Sequence, residues 1–248
     1  MTASASAQTV AQPGVSLRPA ASRGTTRIGW LDSKHSFSFG QYHDPQRMGY
    51  HGLRVINDDR VAATGGFPTH PHRDMEIITW VLDGQLAHRD SMGHASALGV
   101  GGVQYMSAGS GVTHSEFNPS ETRPAHFLQI WISPSDRGLT PQYAEATTDP
   151  ADRDGKLLPL ATTDGRDGSF TIRGDAQVYV GDFAAGQAAR LPLADDRVAY
   201  VHVATGSVDI NGQPASAGDA VTLEGPPTLD ITGRDDTPAQ VLVFDLPA

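Results

Sequence analysis

The sequence contains no cysteine among its 248 residues. This absence excludes disulfide frameworks, thiolate zinc sites and cysteine nucleophiles. Any metal chemistry in the protein therefore depends on histidine and carboxylate side chains, and the chain has 10 histidines.

Basic residues are scarce relative to acidic ones. The chain has 18 Lys and Arg against 28 Asp and Glu, a formal net charge of −10 at pH 7. A charge of this sign disfavours direct binding to nucleic acid phosphates and to anionic lipid. The sequence also lacks an apolar run long enough to cross a membrane, and its first 24 residues lack the apolar region of a secretion signal. We therefore predict a cytoplasmic protein with no direct nucleic acid or membrane partner.

Helical periodicity is scarce as well. Short stretches rich in Val, Ile and Tyr alternate with Gly, Pro, Asp and Asn, which is typical of an all-β fold. The dipeptide Asp83-Gly84 predicts a two-residue hairpin turn. The predicted strands are Leu53–Asn57, Glu76–Leu82, Gln85–Asp90, Gly102–Met106, Val112–Phe117 and His126–Ile132, then Gln177–Val180, Arg197–Val203, Ser207–Ile210, Ala220–Leu223 and Gln240–Phe244.

This strand pattern occurs twice, on either side of a polar stretch rich in Pro and Gly. We predict a flexible tail over residues 1–24, a first β domain over 25–135, a linker over 136–156 and a second β domain over 157–248. Short, evenly spaced strands suit a sandwich or a barrel. The two halves are therefore interpreted as diverged copies of one β unit.

Two histidines precede a hydrophobic stretch in the sequence GFPTHPHRDMEIITW, residues 66–80. In an extended strand, positions i and i+2 lie on one face about 6.5 Å apart, so His70 and His72 can point at one centre. The proline between them confines the segment to a sheet edge, a bulge or a strand entrance. His114 and Glu116 repeat the same spacing after a glycine-rich turn.

Two such pairs on facing strands predict a divalent metal site. Three imidazoles and one carboxylate would bind the ion at about 2.0–2.2 Å and leave two positions of an octahedron open. This ligand set suits iron(II), although manganese, copper, nickel or zinc could occupy the same site. We interpret the remaining candidates His88, His94, His126 and His202 as structural histidines, because each stands outside this pattern.

At these residues the chain resembles the pirins, a branch of the cupin superfamily. The resemblance runs from about residue 23 to the end, and its clearest segments are 29–59, 69–94, 103–120 and 126–143, which include THPHRDMEIITW and VTHSEF. It implies two tandem cupin barrels of the double-stranded β-helix or jelly-roll type, with one metal, usually iron, in the first. It also implies that His70, His72, His114 and Glu116 are the ligands and that the second barrel is metal-free.

Glu76 is a rival carboxylate, because many other cupins take a glutamate from just after the first histidine pair. Extended chain would place it about 13 Å beyond His72, too far to join the ligands without a bulge. We therefore predict that Glu76 lies beside the ligands or at the pocket rim and serves as a proton acceptor. With Glu116 it completes the predicted catalytic pair.

Two functions remain open at the level of sequence. The resemblance implies an iron-dependent quercetin 2,3-dioxygenase, whose substrates are O₂ and a planar polyphenol. The alternative is an iron-binding regulatory protein whose affinity for a partner protein changes with the redox state of the metal. Apolar residues such as Phe67, Trp80, Met106 and Phe127 are candidates for the pocket wall, although core packing is the commoner role for such residues.

Overall fold

The computed structural model describes residues 12–248 and consists almost entirely of β-strands. None of the helices in this part of the chain is long and apolar enough to span a membrane. The first strands are β1 (Val15–Arg18), β2 (Gly24–Ile28), β3 (Leu31–His35), β4 (Leu53–Val61), β5 (Gly66–His72), β6 (Glu76–Asp83), β7 (Leu86–Asp90), β8 (Ala95–Leu98), β9 (Gly102–Ser107), β10 (Val112–Phe117), β11 (Ala125–Ile132) and β12 (Gln142–Thr147). A short helix α1 (Pro150–Arg153) precedes β13 (Leu158–Thr162), β14 (Phe170–Thr171), β15 (Gln177–Phe183), β16 (Ala188–Pro192), β17 (Arg197–Thr205), β18 (Ser207–Ile210), β19 (Gln213–Ser216), β20 (Ala220–Glu224), β21 (Thr228–Gly233) and β22 (Ala239–Pro247), and single 3-10 turns lie at Ala20–Ser22 and Arg166–Gly168.

The strands form two units of the same design. In the first, a seven-stranded sheet in the order β12-β9-β6-β11-β4-β3-β2 packs on a four-stranded sheet in the order β5-β10-β7-β8. In the second, the orders are β1-β20-β17-β22-β15-β13-β14 and β16-β21-β18-β19. We call these units the first barrel and the second barrel. The predicted all-β fold is confirmed.

The two barrels pack through the outer faces of their seven-stranded sheets. Alternate residues of a strand point to opposite faces of the sheet. Ile78 and Trp80 of β6 point out of the first barrel and pack in a core that includes Tyr200 and Phe244 of the second barrel. The indole N–H of the fully buried Trp80 donates a hydrogen bond to Gln240 Oε1 at 2.7 Å. The interface is therefore continuous hydrophobic core rather than a loose contact.

Two predicted segments differ from the structure. The flexible tail expected over 1–24 is wrong for residues 15–18, because Val15–Arg18 pairs antiparallel with β20 and extends the second barrel's sheet. Residues 1–11 of that prediction lie outside the described residues. The linker expected over 136–156 contains β12, which pairs with β9 in the first barrel. Both are edge strands with mostly exposed or half-buried side chains, so neither carries the hydrophobic alternation that a strand prediction relies on.

Candidate metal centre

Strands β5 and β10 bring three imidazoles together. They pair antiparallel, with His70 opposite His114 and His72 opposite Val112. The Nε2 atom of His114 lies 2.9 Å from Nε2 of His72 and 3.0 Å from Nε2 of His70. The three rings therefore point their Nε2 atoms at one place, as the spacing of the two pairs predicts.

This spacing fits a metal ion bound by neighbouring ligands. Two nitrogens held at right angles around one ion, each at about 2.1 Å, would stand about 3 Å apart. The observed separations of 2.9 and 3.0 Å match that value. The chemistry of the donors agrees, because neutral imidazole is a ligand for iron, nickel, copper and zinc.

The local backbone explains how β5 presents both histidines. Going from the His114 pairing to the Glu116 pairing, β10 advances by two residues while β5 goes from His70 back to Phe67, so β5 bulges. The Nδ1–H of His70 donates to Pro68 O at 2.8 Å, which leaves Nε2 free for a ligand role. As the proline predicts, β5 is an edge strand. Gly66 is required beside the bulge, because an added Cβ would lie 2.4 Å from the backbone oxygen of Glu116.

Burial keeps the imidazoles of His72 and His114 neutral in the absence of an ion. Burial, together with the neighbouring His70, lowers the pKa of His72 to about 4. Burial and the neighbouring imidazoles lower the pKa of His114 to about 2. Since metal ligation requires the unprotonated ring, the protein environment holds these histidines in the form that binds a metal.

Glu116 lies beside the imidazoles and is held by an amide. Its carboxylate is buried and accepts hydrogen bonds from Gln129 Nε2, at 3.1 Å to Oε1 and 2.9 Å to Oε2. A carboxylate oxygen lies within 4.8 Å of ring nitrogens of His114 and His88, whereas Glu116 does not come that close to all three imidazoles at once. Burial raises the pKa of Glu116 to about 7.

Two adjoining cavities open this centre to a ligand. A small cavity of about 40 Å³ is lined by His70, His72 and Glu116, and a larger one of about 270 Å³ lies on the side of β3 and β4. The residues that line both are Phe39, Asn57, Asp59 and Phe67. Of the four wall candidates named from the sequence, only Phe67 lines these cavities, whereas Trp80, Met106 and Phe127 are buried in the cores.

The predicted position of Glu76 beside the ligands or at the pocket rim is wrong. Glu76 points out of the first barrel, towards the barrel interface, where its carboxylate accepts hydrogen bonds from the hydroxyl of Tyr105, from Ser107 Oγ at 2.7 Å and from the backbone N–H of Arg173 at 3.2 Å. The cause is the connection between β5 and β6, where Asp74 adopts a positive φ of 48° and the strand alternation restarts. Glu76 therefore lies outside the candidate metal centre.

The sequence analysis missed residues that support the centre from other strands. His88, interpreted as structural, places its Nδ1 atom 3.4 Å from Nδ1 of His114. Asp90 lies opposite His114 in the pairing of β7 with β10. Asp59 is 3% exposed, and its Oδ1 has no hydrogen-bond partner among residues 12–248. The i, i+2 spacing of His88 and Asp90 was a usable signal, but nothing local shows that β7 is the neighbour of β10.

Comparison with known proteins agrees with this geometry. The Pirin family matches residues 16–132, and the family described as quercetinase C-terminal cupin domain matches residues 159–246. A curated relative from Escherichia coli K12 named quercetin 2,3-dioxygenase is 44% identical over 93% of this chain and 98% of its own length. A pirin-like protein from Caulobacter vibrioides is 41% identical over 88% of this chain and 93% of its own length.

A solved structure extends the comparison to three dimensions. The bacterial pirin YhhW from Escherichia coli in complex with nickel(II) is 41% identical, with a TM-score of 0.88 over 94% of this chain and 99% of that chain. The prediction of two tandem cupin barrels is confirmed by these matches together with the two-barrel topology. From its sequence, its fold and its relatives, the chain belongs to the pirin family.

Proposed function

We propose that the protein is a metal-dependent dioxygenase that opens a flavonol such as quercetin, with O₂ as the second substrate and carbon monoxide as a product. The observation that carries this proposal is the convergence of three Nε2 atoms at 2.9 and 3.0 Å beside a cavity. The name of the Escherichia coli relative, quercetin 2,3-dioxygenase, supports the choice of substrate.

In this proposal His70, His72, His114 and Glu116 hold one divalent ion, iron(II). The three imidazoles already have the necessary spacing, and a carboxylate oxygen of Glu116 lies within 4.8 Å of a ring nitrogen of His114. When bound, the ion supplies a positive charge for the substrate oxygen and the redox capacity for reaction with O₂. The nickel(II) complex of the Escherichia coli pirin supports one metal site, and leaves the choice of iron to experiment.

The larger cavity is the proposed binding site of the flavonol. Its walls combine apolar groups, among them Leu31, Phe39 and Phe67, with polar groups such as His35 and Asn57. A planar ring system with several hydroxyl groups needs both kinds of surface. Phe67 is fixed edge-to-face against Trp30, with ring centroids 5.0 Å apart, so this wall has a defined shape.

Buried carboxyls provide for the proton of the reacting hydroxyl. Glu116 is the proposed acceptor, because its buried carboxylate lines the small cavity beside the imidazoles. Asp59 lines both cavities, and its unpartnered Oδ1 offers a second hydrogen-bonding position for the substrate. The other sequence-level candidate, Glu76, has no access to either cavity in this arrangement.

Aerobic incubation of the iron-loaded chain with quercetin tests the proposal. The expected result is loss of the flavonol absorbance with stoichiometric release of carbon monoxide, dependent on metal loading. His114→Ala should abolish this turnover, whereas the exposed His43→Ala serves as the matched control. Absence of turnover with iron, nickel, manganese, copper and zinc alike would overturn the enzyme proposal and leave the redox-dependent binding protein as the alternative.

A further inference from the structure

A line of hydrogen-bonded side chains leads from His114 to the protein surface. His114 Nδ1 lies 3.4 Å from His88 Nδ1, and His88 Nε2 lies 3.3 Å from Asp90 Oδ2. Asp90 Oδ2 in turn lies 2.9 Å from His94 Nδ1. The side chains of His88 and Asp90 are 1% and 0% exposed, whereas that of His94 is 41% exposed. His88 and Asp90 are thus sealed in the protein, as His114 is, although neither of them belongs to the proposed ligand set.

The position of Asp90 is fixed by its own turn. Its Oδ1 accepts hydrogen bonds from the backbone N–H groups of Met92 at 2.8 Å and His94 at 3.0 Å. Its Oδ2 faces both imidazoles. A carboxylate that faces four donors in this way is stabilised as an anion. Asp90 is therefore a fixed negative charge behind the metal centre.

Only one arrangement of protons satisfies the whole line. An ionised Asp90 can only accept, so His88 must donate from Nε2, and its Nδ1 is then an acceptor. Gln104 Nε2 donates to that Nδ1 at 3.3 Å, and the Nδ1–H of His114 points at the same atom. His114 consequently carries its proton on Nδ1 and leaves the lone pair of Nε2 towards His70 and His72. This is the tautomer that a metal ligand requires.

An aromatic ring holds the two outer imidazoles in place. Tyr143 of β12 stacks on His88 with ring centroids 4.9 Å apart and on His94 at 4.4 Å, with interplanar angles of 22° and 18°. Its hydroxyl lies 2.6 Å from Glu145 Oε2 and 2.9 Å from Ser96 Oγ. β12, which lies in the segment expected to be a linker, thus packs against the two outer imidazoles of the line through Tyr143.

We propose that Asp90, acting through His88, is a positioning residue for the metal centre. It fixes the tautomer and the orientation of His114, and its charge makes the His114 ring a stronger donor. Outer hydrogen-bond partners of this kind contribute about 10- to 100-fold to metal affinity. A stronger donor with the negative charge of Asp90 behind it also favours the more highly charged ion, so the line lowers the iron(III)/iron(II) potential. The proposal rests on the metal site proposed above.

Nickel(II) affinity of the full chain, measured by competition with a chelator, tests this role. Asp90→Asn keeps an acceptor for the turn and removes the charge, and we expect it to weaken nickel(II) binding by about 10-fold. His88→Gln should weaken binding at least as much. The double variant should bind no more weakly than His88→Gln alone, because Asp90 acts through His88. Asp83→Asn is the matched control, since Asp83 ends β6 in the other sheet of the same barrel, outside this line, and its carboxylate makes an exposed ion pair with Arg123.

The outcomes separate the two proposals. If the unaltered chain binds no nickel(II), the metal site and this inference both fall. If it binds nickel(II) and Asp90→Asn binds equally well, or if the two single effects simply multiply, the positioning role is wrong and the site stands. Should Asp90→Asn fail to fold, His88→Gln carries the test by itself, and unchanged affinity there overturns the proposal.

A second readout distinguishes a charge effect on the metal from a loss of packing. The reduction potential of the iron-loaded chain should rise in Asp90→Asn, and a tenfold selective loss of iron(III) affinity corresponds to about 59 mV. A merely structural role would weaken both oxidation states equally and leave the potential unchanged, which would contradict the proposal.

Discussion

The two barrels share one architecture, but the first has a partly polar interior and the second an apolar one. Across the seven-stranded sheet of the first barrel, cross-strand neighbours form an inward-facing polar row, which consists of His35, Asn57, Gln129, Thr79 and Gln104. The second barrel is filled instead by a hydrocarbon cluster that includes Val201, Val203, Val208, Ile231, Val241 and Val243. Its one histidine in these strands, His202, points to the opposite face, between the barrels.

This difference shows what a site requires of the fold. A polar interior costs little stability where its groups have hydrogen-bond partners, as when Thr79 donates to Gln129 at 2.8 Å and Gln129 donates to Glu116. The described residues that fill the second barrel form an apolar cluster, and this barrel gains stability from their burial. Its outer face packs on that of the first barrel, and none of its described residues belongs to the side-chain groups that could hold a metal ion.

The largest expected effect comes from removing a proposed ligand. His114→Ala deletes the ring whose Nε2 is nearest to both other imidazoles, so nickel(II) affinity should fall by more than about 100-fold, beyond the usual effect of an outer partner. Chelator competition measures the affinity, and thermal unfolding confirms that the barrel persists. His43→Ala should bind normally. Unchanged binding in His114→Ala would show that the metal lies elsewhere.

A polar side chain placed in the second barrel tests the other half of the comparison. Val201 is fully buried between Val221 and Val243, so Val201→Asn leaves an amide without a partner. We expect the free energy of unfolding in urea to fall by about 3 kcal/mol. Thr232→Asn, at an exposed position of the same barrel, should lower the free energy of unfolding by less than about 1 kcal/mol. Equal losses in the two variants would contradict a hydrocarbon-filled interior.

Strand geometry explains why the convergence of the three imidazoles could be predicted from sequence. The i, i+2 spacing of His70 with His72 and of His114 with Glu116 depends only on local extended backbone, and both pairs lie on β5 and β10. The prediction for Glu76 assumed extended chain beyond His72, and it failed because the left-handed residue Asp74 interrupts the alternation between the two strands. A single backbone angle in a loop was enough to reverse the face.

Contacts between distant strands could not be predicted in the same way. β1 pairs with β20, about 200 residues away, and the polar stretch at β12 braces the metal centre through Tyr143. Neither strand has its own hydrophobic pattern. Each forms by hydrogen bonding to a sheet edge that exists only in the folded chain, so the local sequence does not predict it. The support of His114 by His88 likewise depends on the order of strands in the sheet.

A smaller effect is expected from the amide that links the polar row to the site. Gln129→Met keeps the volume and removes the hydrogen bonds to Glu116, so nickel(II) affinity should fall by about 10-fold. The same chelator competition applies, with the exposed Gln85→Met as control. If Gln129→Met binds as tightly as the unaltered chain, the polar row does not position Glu116.

The smallest effect concerns His202 and depends on pH. Burial lowers the pKa of His202 to about 4, against an ordinary value of 6.5. Between these values the unfolded chain binds a proton that the folded chain does not, so stability falls as pH decreases. At pH 5.5 this lowers the free energy of unfolding by about 1 kcal/mol. In His202→Leu the loss of unfolding free energy between pH 7 and pH 5.5 should be smaller by that amount. Urea unfolding of the metal-free chain measures it, with His43→Leu as control, and identical pH dependence would show that His202 is not buried in a neutral form.

Anomalous diffraction at the nickel edge, from crystals of the nickel(II)-loaded chain, tests the central claim most directly. The account predicts one peak per chain, inside the first barrel and within about 2.2 Å of Nε2 of His70, His72 and His114. A peak in the second barrel, or the absence of one between these three imidazoles, would contradict it.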